Sequence, residues 1–356
     1  MIARALGMIL FLVVFLGIYL GMHLYVFLRL FGMLGLERGI LLYGVTAILS
    51  VSFPLLSFVM NTKPSAAISW LYTASATWLG VLFLLFSALI VYELLSMLFS
   101  LDRFVSAIVI ISVALVLSAA AVINAMFLAV KVVEVPLDGL PSDLKIVQLS
   151  DLHLGTVHNS AYLKKVVDKA NALDPDMVVI TGDLVDGMSQ PHTYKGLDRI
   201  KADTYFITGN HERYQGKEKV FELLSSTKVK ILDDEALSTK GIQLIGLSDG
   251  GDFKSPGPKL QKIQIEEDKP SVLLYHAPTG IEDAAKEGID LQVSGHTHNG
   301  QLMPFNFLVW PFYPRIKGLY QVDGTYLYVS PGTGTWGPPM RLGSRSEITL
   351  LGLKHA

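Results

Sequence analysis

Apolar residues recur along the chain in two different rhythms. In the first, four stretches lack any Asp, Glu, Lys or Arg: Ala5–Leu28, Gly39–Thr62, Pro64–Tyr92 and Phe104–Val130, of 24, 24, 29 and 27 residues. A helix of about 20 apolar residues crosses the hydrocarbon core of a bilayer, so each stretch is long enough. Short charged or turn-like pieces, Arg29–Arg38, Asn61–Pro64 and Ser100–Arg103, join them. The pattern predicts an N-terminal four-helix transmembrane bundle over residues 1–130. A cleaved signal peptide explains the first stretch poorly, because its apolar run is too long and three more follow.

After a linker expected over 131–144, the second rhythm begins. Runs of four to seven residues, rich in aliphatic and β-branched side chains, each end in small or polar residues, as buried strands do. They are Lys145–Leu149, Met177–Thr181, Tyr205–Thr208, Gly241–Gly246, Val272–Tyr275, Leu291–Ser294, Tyr326–Ser330 and Glu347–Leu353. Ala161–Leu173 has the spacing of an amphipathic helix. The mixture predicts an α/β domain over 145–356.

Composition agrees with this division. Hydrophobic residues make up 51% and charged residues 17% of the 356, with a mean hydropathy of +0.44. Only eight charged side chains fall in residues 1–130, which leaves 52 for the other 226. The second part carries a net charge of about −4. That balance speaks against nucleic acid as a partner, since phosphate backbones are bound through basic fields. With no cysteine there is no disulfide, thiolate ligand or Cys nucleophile. An even number of spans makes this a multi-pass protein of the cell membrane, with the N-terminus and the α/β domain on one side. Basic residues number four on that side, counting the α-amine, against three on the other, too even a count to orient the chain. His23 within the first span and Glu93 near the end of the third are the ionisable groups of interest there, because such groups are functional candidates by default.

Chemistry gathers where strands end. Asp151, His153, Asp183, Asn210, His211, His276, His296 and His298 all directly follow strand-like runs, the place where open α/β sheets carry their sites. Imidazole, carboxylate and amide oxygen donors together suit divalent transition ions. Eight such groups exceed the needs of one ion. Two ions about 3.5–4 Å apart, sharing a carboxylate, would employ them and would make hydroxide available near neutral pH. Taken singly the motifs are weak: Asp-x-His arises by chance, and Gly-Asp and Gly-Asn-His suit ordinary turns.

Together, Asp151-Leu-His153, Gly182-Asp183-Leu-Val-Asp186-Gly187, Gly209-Asn210-His211-Glu212, His276 and Gly295-His296-Thr-His298 form five ordered blocks. The set resembles the calcineurin-like metallophosphoesterase superfamily across residues 145–353. The region with Ser330-Pro331-Gly332-Thr333-Gly334, Pro338-Pro339-Met340-Arg341 and Glu347-Ile348 is similar to its membrane-associated bacterial branch, typified by the YkuE and YaeI proteins. That branch usually has two glycines before the glutamine after its last histidine, where this chain has Asn299-Gly300-Gln301. The change spares every expected ligand and bears on substrate specificity.

The resemblance implies a two-sheet αββα sandwich and two divalent ions drawn from Mn, Fe, Zn, Ni or Co. It implies that Asp151, His153 and His298 hold the first ion, that Asn210, His276 and His296 hold the second, and that Asp183 bridges them. His211 is implied as the catalytic acid or transition-state stabiliser beside the leaving group. Asp186 is expected to orient a neighbour by hydrogen bonding. Glu212, Arg341 and His158 are possible substrate contacts, a salt-bridged or solvated structural role being expected for each at least as much. The implied activity is hydrolysis of a phosphoester or pyrophosphate bond by a metal-bridged hydroxide. The superfamily includes pyrophosphatases of UDP-diacylglucosamine, and four spans are more anchor than a tether requires, so a lipid-linked substrate is expected alongside contact with membrane lipids. Soluble nucleotides are the alternative substrate, and a non-catalytic, metal-stabilised scaffold is the alternative of a different class.

One further segment stands out. Met303–Pro314 has twelve uncharged residues, three prolines and a run of aromatic side chains. Prolines oppose a regular helix or central strand, and Trp and Tyr favour bilayer interfaces. The segment is expected either to cap the domain core or pack on the membrane helices, or to lie at a membrane surface beside the metal cleft.

Overall fold

A computed structural model of the chain describes residues 2–63, 65–187, 191–251 and 254–355. Pro64, which opens the third uncharged stretch, lies outside them. Two compact units result, one of Met1–Val122 with Gly337–Met340, the other of Ile123–Trp336 with Arg341–Ala356.

Among the described residues, four helices are long and apolar enough to cross a membrane: α1 (Ile2–Met33), α2 (Ile40–Thr62), α3 (Ala66–Ser96) and α4 (Arg103–Met126). Two pairs of polar side chains link α1 to α3. His23 of α1 is fully buried, with Nδ1 2.9 Å from the Tyr19 carbonyl, and Trp78 of α3 donates to its Nε2 at 3.0 Å. Arg29 of α1 meets Glu93 of α3 at 2.5 Å. Both intramembrane candidates therefore act as cross-links between α1 and α3.

The second unit contains fourteen described strands. In chain order they are β1 (Leu128–Leu137), β2 (Leu144–Leu149), β3 (Leu154–Gly155), β4 (Met177–Thr181), β5 (Val185–Asp186), β6 (Asp203–Ile207) and β7 (Lys230–Ile231). Then follow β8 (Glu235–Thr239), β9 (Ile242–Gly246), β10 (Ser271–Leu274), β11 (Leu291–Ser294), β12 (Gly318–Val322), β13 (Thr325–Val329) and β14 (Ser346–His355). One six-stranded sheet has the order β1-β14-β2-β4-β6-β7, the other β12-β13-β11-β10-β9-β8, and β3 and β5 form a small ribbon.

Alternation along the strands builds the layers. Met177 and Val179 of β4 pack with Leu244, Val272, Leu274 and Val293 from the other sheet, forming the core of the sandwich. Val178 and Ile180 point the other way, against Leu163, Val166 and Val167 of the helix α5 (Ser160–Ala172). Strand side chains alternate between faces, so a strand covered on both sides reads as an unbroken apolar run. Asn159 starts α5 by accepting from the backbone N–H groups of Ala161 and Tyr162.

The expected linker at 131–144 is a correction. Half of it, 131–137, belongs to β1, which pairs in parallel along its whole length with β14. The fourth uncharged stretch ran to Val130, yet α4 ends at Met126 and β1 starts two residues later. Apolarity alone does not mark where a helix gives way to a strand.

Candidate metal centre

The loops after β2, β4, β6, β10 and β11 converge. Each of these strands is parallel to a neighbour in its sheet, so their C-terminal ends share an edge of the sandwich. β3 and β5 tie the first two loops together, with the His153 N–H donating to the Asp183 carbonyl at 3.0 Å. Five of the residues carrying donors hold left-handed backbone: Asp151, His153, Asp183, His296 and His298, with φ between 47° and 73°. Non-glycine residues adopt this only against a steric cost. Gly209 makes the approach possible, since a Cβ there would collide with the Asp183 carboxylate and the His276 ring.

The structure brings all eight expected residues together. His153 Nε2 and His298 Nε2 lie 3.1 Å apart, and Asp151 Oδ1 is 3.4 Å from the latter. His276 Nε2 is 3.1 Å from Asn210 Oδ1 and 3.2 Å from His296 Nδ1. Asp183 Oδ2 stands between the groups, 3.2 Å from His276 Nε2 and 3.9 Å from His153 Nε2. Two candidate metal-holding clusters result, Asp151–His153–His298 and Asp183–His276–His296. A third joins His153 to Asp186 and His211.

Electrostatics tests whether ions fit. Burial, and then the charge of His211, hold the His153 pKa well below its ordinary value. Burial and the Arg341 guanidinium do the same for His298. Burial and His276 bring His296 down to about 4. Three imidazoles thus keep lone pairs where two carboxylates also point, an arrangement that is repulsive until a cation is shared. Burial alone would lower His276, but the charges of Asp183 and Asp151 outweigh it and raise the group to about 10. Outer contacts agree: the Thr181 carbonyl lies 2.8 Å from His276 Nδ1, leaving Nε2 to face inward. The donor set fits two divalent ions.

His211 differs from the rest. Its Nδ1 lies 3.5 Å from Asp186 Oδ1. Burial lowers its pKa, but the Asp186 hydrogen bond and the Asp183 charge prevail and raise it to about 9. Asp186 thus orients His211. The exposed rings of Tyr214 and Trp336 lie 5.8 and 6.4 Å from the His211 ring.

For Arg341, Glu212 and His158 the structure favours the structural role over substrate contact. Arg341 is 0% exposed and donates to the carbonyls of Pro331, Gly332 and Gly334 at 2.6–3.1 Å. Glu212, also 0% exposed, accepts from the N–H groups of Asp183, Leu184, Val185 and Gly209 at 2.6–3.1 Å. It ties the β4 and β6 loops to each other. The backbone N–H of Thr335 donates to buried His158 at Nε2, at 2.8 Å. All three lie beneath the site and shape its loops. Sequence reasoning missed Tyr313, whose hydroxyl lies 2.9 Å from His296 Nε2, and Ser150, which donates to Asp151 at 2.6 Å. The departure at Asn299 is explained by its φ of 51°, a conformation that Asn, among non-glycine residues, tolerates well.

A family model described as calcineurin-like phosphoesterase matches residues 144–300. Over 258 residues the chain is 30% identical to an uncharacterised metallophosphoesterase of Aquifex aeolicus, spanning 68% of this chain and 98% of that one. The chain belongs to the calcineurin-like phosphoesterase family. Further family relatives include an uncharacterised metallophosphoesterase of Campylobacter jejuni, 40% identical over 63% of each chain. Another is a transmembrane protein with metallophosphoesterase domain from Bos taurus, 40% identical over 64% of this chain and 57% of its own. This calcineurin-like phosphoesterase thus spans less than two thirds of the length of those two relatives.

Proposed function

We propose that the chain is a membrane-anchored, metal-dependent hydrolase of a phosphoester or pyrophosphate bond, in which residues 1–130 anchor and 145–356 catalyse. The observation that supports this most is Asp183 Oδ2 standing between two converging clusters, with His211 alongside. Asp151, His153 and His298 would hold one ion, Asn210, His276 and His296 the other, and Asp183 both. When bound, the pair supplies positive charge to the phosphoryl oxygens and a water of lowered pKa. Thr181 fixes the tautomer of His276, and Glu212 fixes the two loops. His211, protonated near neutral pH and turned toward Asp186 through Nδ1, offers its Nε2 proton to the departing oxygen. A complete ligand set with its acid disfavours a non-catalytic scaffold.

For the substrate, the four apolar helices favour a lipid-linked phosphoester. A second reading, soluble nucleotides, is supported by exposed Tyr214 and Trp336 beside His211, since a base stacks on such rings. The deciding assay offers detergent-solubilised protein, loaded with Mn, Fe, Zn, Ni or Co in turn, a membrane lipid extract and a nucleotide panel. Products are read by mass spectrometry. Phosphate-bearing products from the lipid extract would support the first reading. Turnover confined to nucleotides would replace it with the second, and no turnover with any metal would overturn the enzyme.

A further inference from the structure

The segment following the last pair of histidines is built as a rigid apolar platform. From Met303 to Phe312, six large apolar side chains are exposed: Met303, Phe305, Phe307, Leu308, Trp310 and Phe312, with Phe307, Trp310 and Phe312 each at least 60% exposed. Charge is absent from 303 to 314 and resumes at Arg315 and Lys317. Such exposure is ordinary for isolated residues but not for six within ten positions.

Three attachments hold the backbone beneath these side chains. Gly300 lies so close to the Asn306 backbone that a Cβ would overlap it. The short helix Asn306–Val309 packs Val309 against the buried cluster of Leu273, Tyr275 and Tyr313. Tyr313 itself is buried, with its hydroxyl on His296. The apolar side chains are therefore presented outward on a fixed base, next to the candidate metal centre.

We propose that this face is a lipid-binding surface, which seats the segment 303–312 in the headgroup and upper acyl region of a bilayer. Exposed Phe and Leu side chains, the Trp310 ring with its polar N–H, and exposed Lys317 beyond them match that zone in chemistry and in charge. The same chain carries helices apolar enough to span a membrane, so the surface works at high local lipid concentration, where a weak contact suffices. Through Tyr313 it places a lipid headgroup beside His296. This assignment names a partner for the site and rests on the phosphoesterase reading only in that last respect.

The test uses the absence of cysteine. Phe307→Cys and, separately, Leu308→Cys each give one site for a nitroxide label in the full chain, reconstituted into phosphatidylcholine–phosphatidylglycerol vesicles. Lys286→Cys, on an exposed side chain of the same domain, is the aqueous reference. Labels at 307 and 308 should collide with oxygen more often, and with a water-soluble nickel chelate several-fold less often, than the label at 286. Collision rates equal to those at 286 at both positions would overturn the proposal. So would shielding from both reagents, which would mean a protein contact. Because no turnover is measured, an immersed label on an inactive protein would sink only the hydrolase, and a wet label on an active one only the surface.

Discussion

Both units of the molecule bury polar side chains, and they treat them in opposite ways. In the helical unit two pairs of complementary character join α1 to α3: Trp78 donates to buried His23, and half-buried Arg29 meets Glu93. At the candidate metal centre of the α/β unit imidazole is set against imidazole, with His153 3.1 Å from His298 and His276 3.2 Å from His296. Matched groups hold helices together and ask for nothing more. Mismatched groups converge where something from outside has to complete them. Neighbours, more than residue type, separate a structural histidine from one built for chemistry.

Breaking the mismatched set should have the largest effect. Asp183→Asn removes the carboxylate that stands between the two clusters and is expected to lower kcat by about 10³-fold or more, on the scale of losing a central electrostatic element. Metal content by elemental analysis should fall with it. Retained turnover at full metal content would end the two-ion assignment.

His211→Gln should lower kcat by about 10²- to 10⁴-fold, the range of general acid catalysis, while metal content stays intact. The pH profile sharpens this. The folded pKa of His211 is raised to about 9 from 6.5, so its proton is present at neutral pH and lost as pH rises through about 9. Activity should therefore decline on that alkaline limb. In Asp186→Asn the hydrogen bond that raises the pKa is gone, and the decline should start at lower pH. An unmoved limb would assign it to another group.

An intermediate effect is expected from Glu212→Gln. The carboxylate collects four backbone N–H groups, and an amide there turns a donor toward them. Loss of about 2–3 kcal/mol is expected, the scale of a buried, charge-assisted hydrogen bond, read as a lower denaturant midpoint. The smallest effect belongs to the matched set. A double-mutant cycle on His23 and Trp78 should give a coupling of about 0.6 kcal/mol and at most about 1.7, with catalysis unchanged. A large catalytic effect from His23→Ala would erase the distinction between the two units.

Legibility in the sequence followed the same physics. Met177–Thr181 and Leu291–Ser294 were readable to the residue, because strands covered on both faces are apolar without interruption. β8 and β12 were not, since edge strands with half-exposed residues carry no such run. That the eight expected residues converge was legible because strand ends carry their motifs to one edge. Arg341 and Glu212 stayed open between substrate contact and structural role for a physical reason: charged residues are almost never fully buried unless paired, and the carbonyls and N–H groups that meet them come from backbone, which no side-chain pattern announces. Tyr313 lay inside a segment already singled out for its rings, but its hydroxyl contact depends on the path of the loop.

The left-handed backbone at five donor residues has a consequence for the lineage of such a chain. Each strained position disfavours the native state by about 1–3 kcal/mol, so the site persists only while selection for chemistry holds it in place. A copy relieved of that duty could replace these residues with glycine and shed the strain, gaining backbone stability at the step that ends its activity. Decay of the site would then run downhill in folding free energy, and inactive descendants would emerge with sturdier loops than their working ancestor.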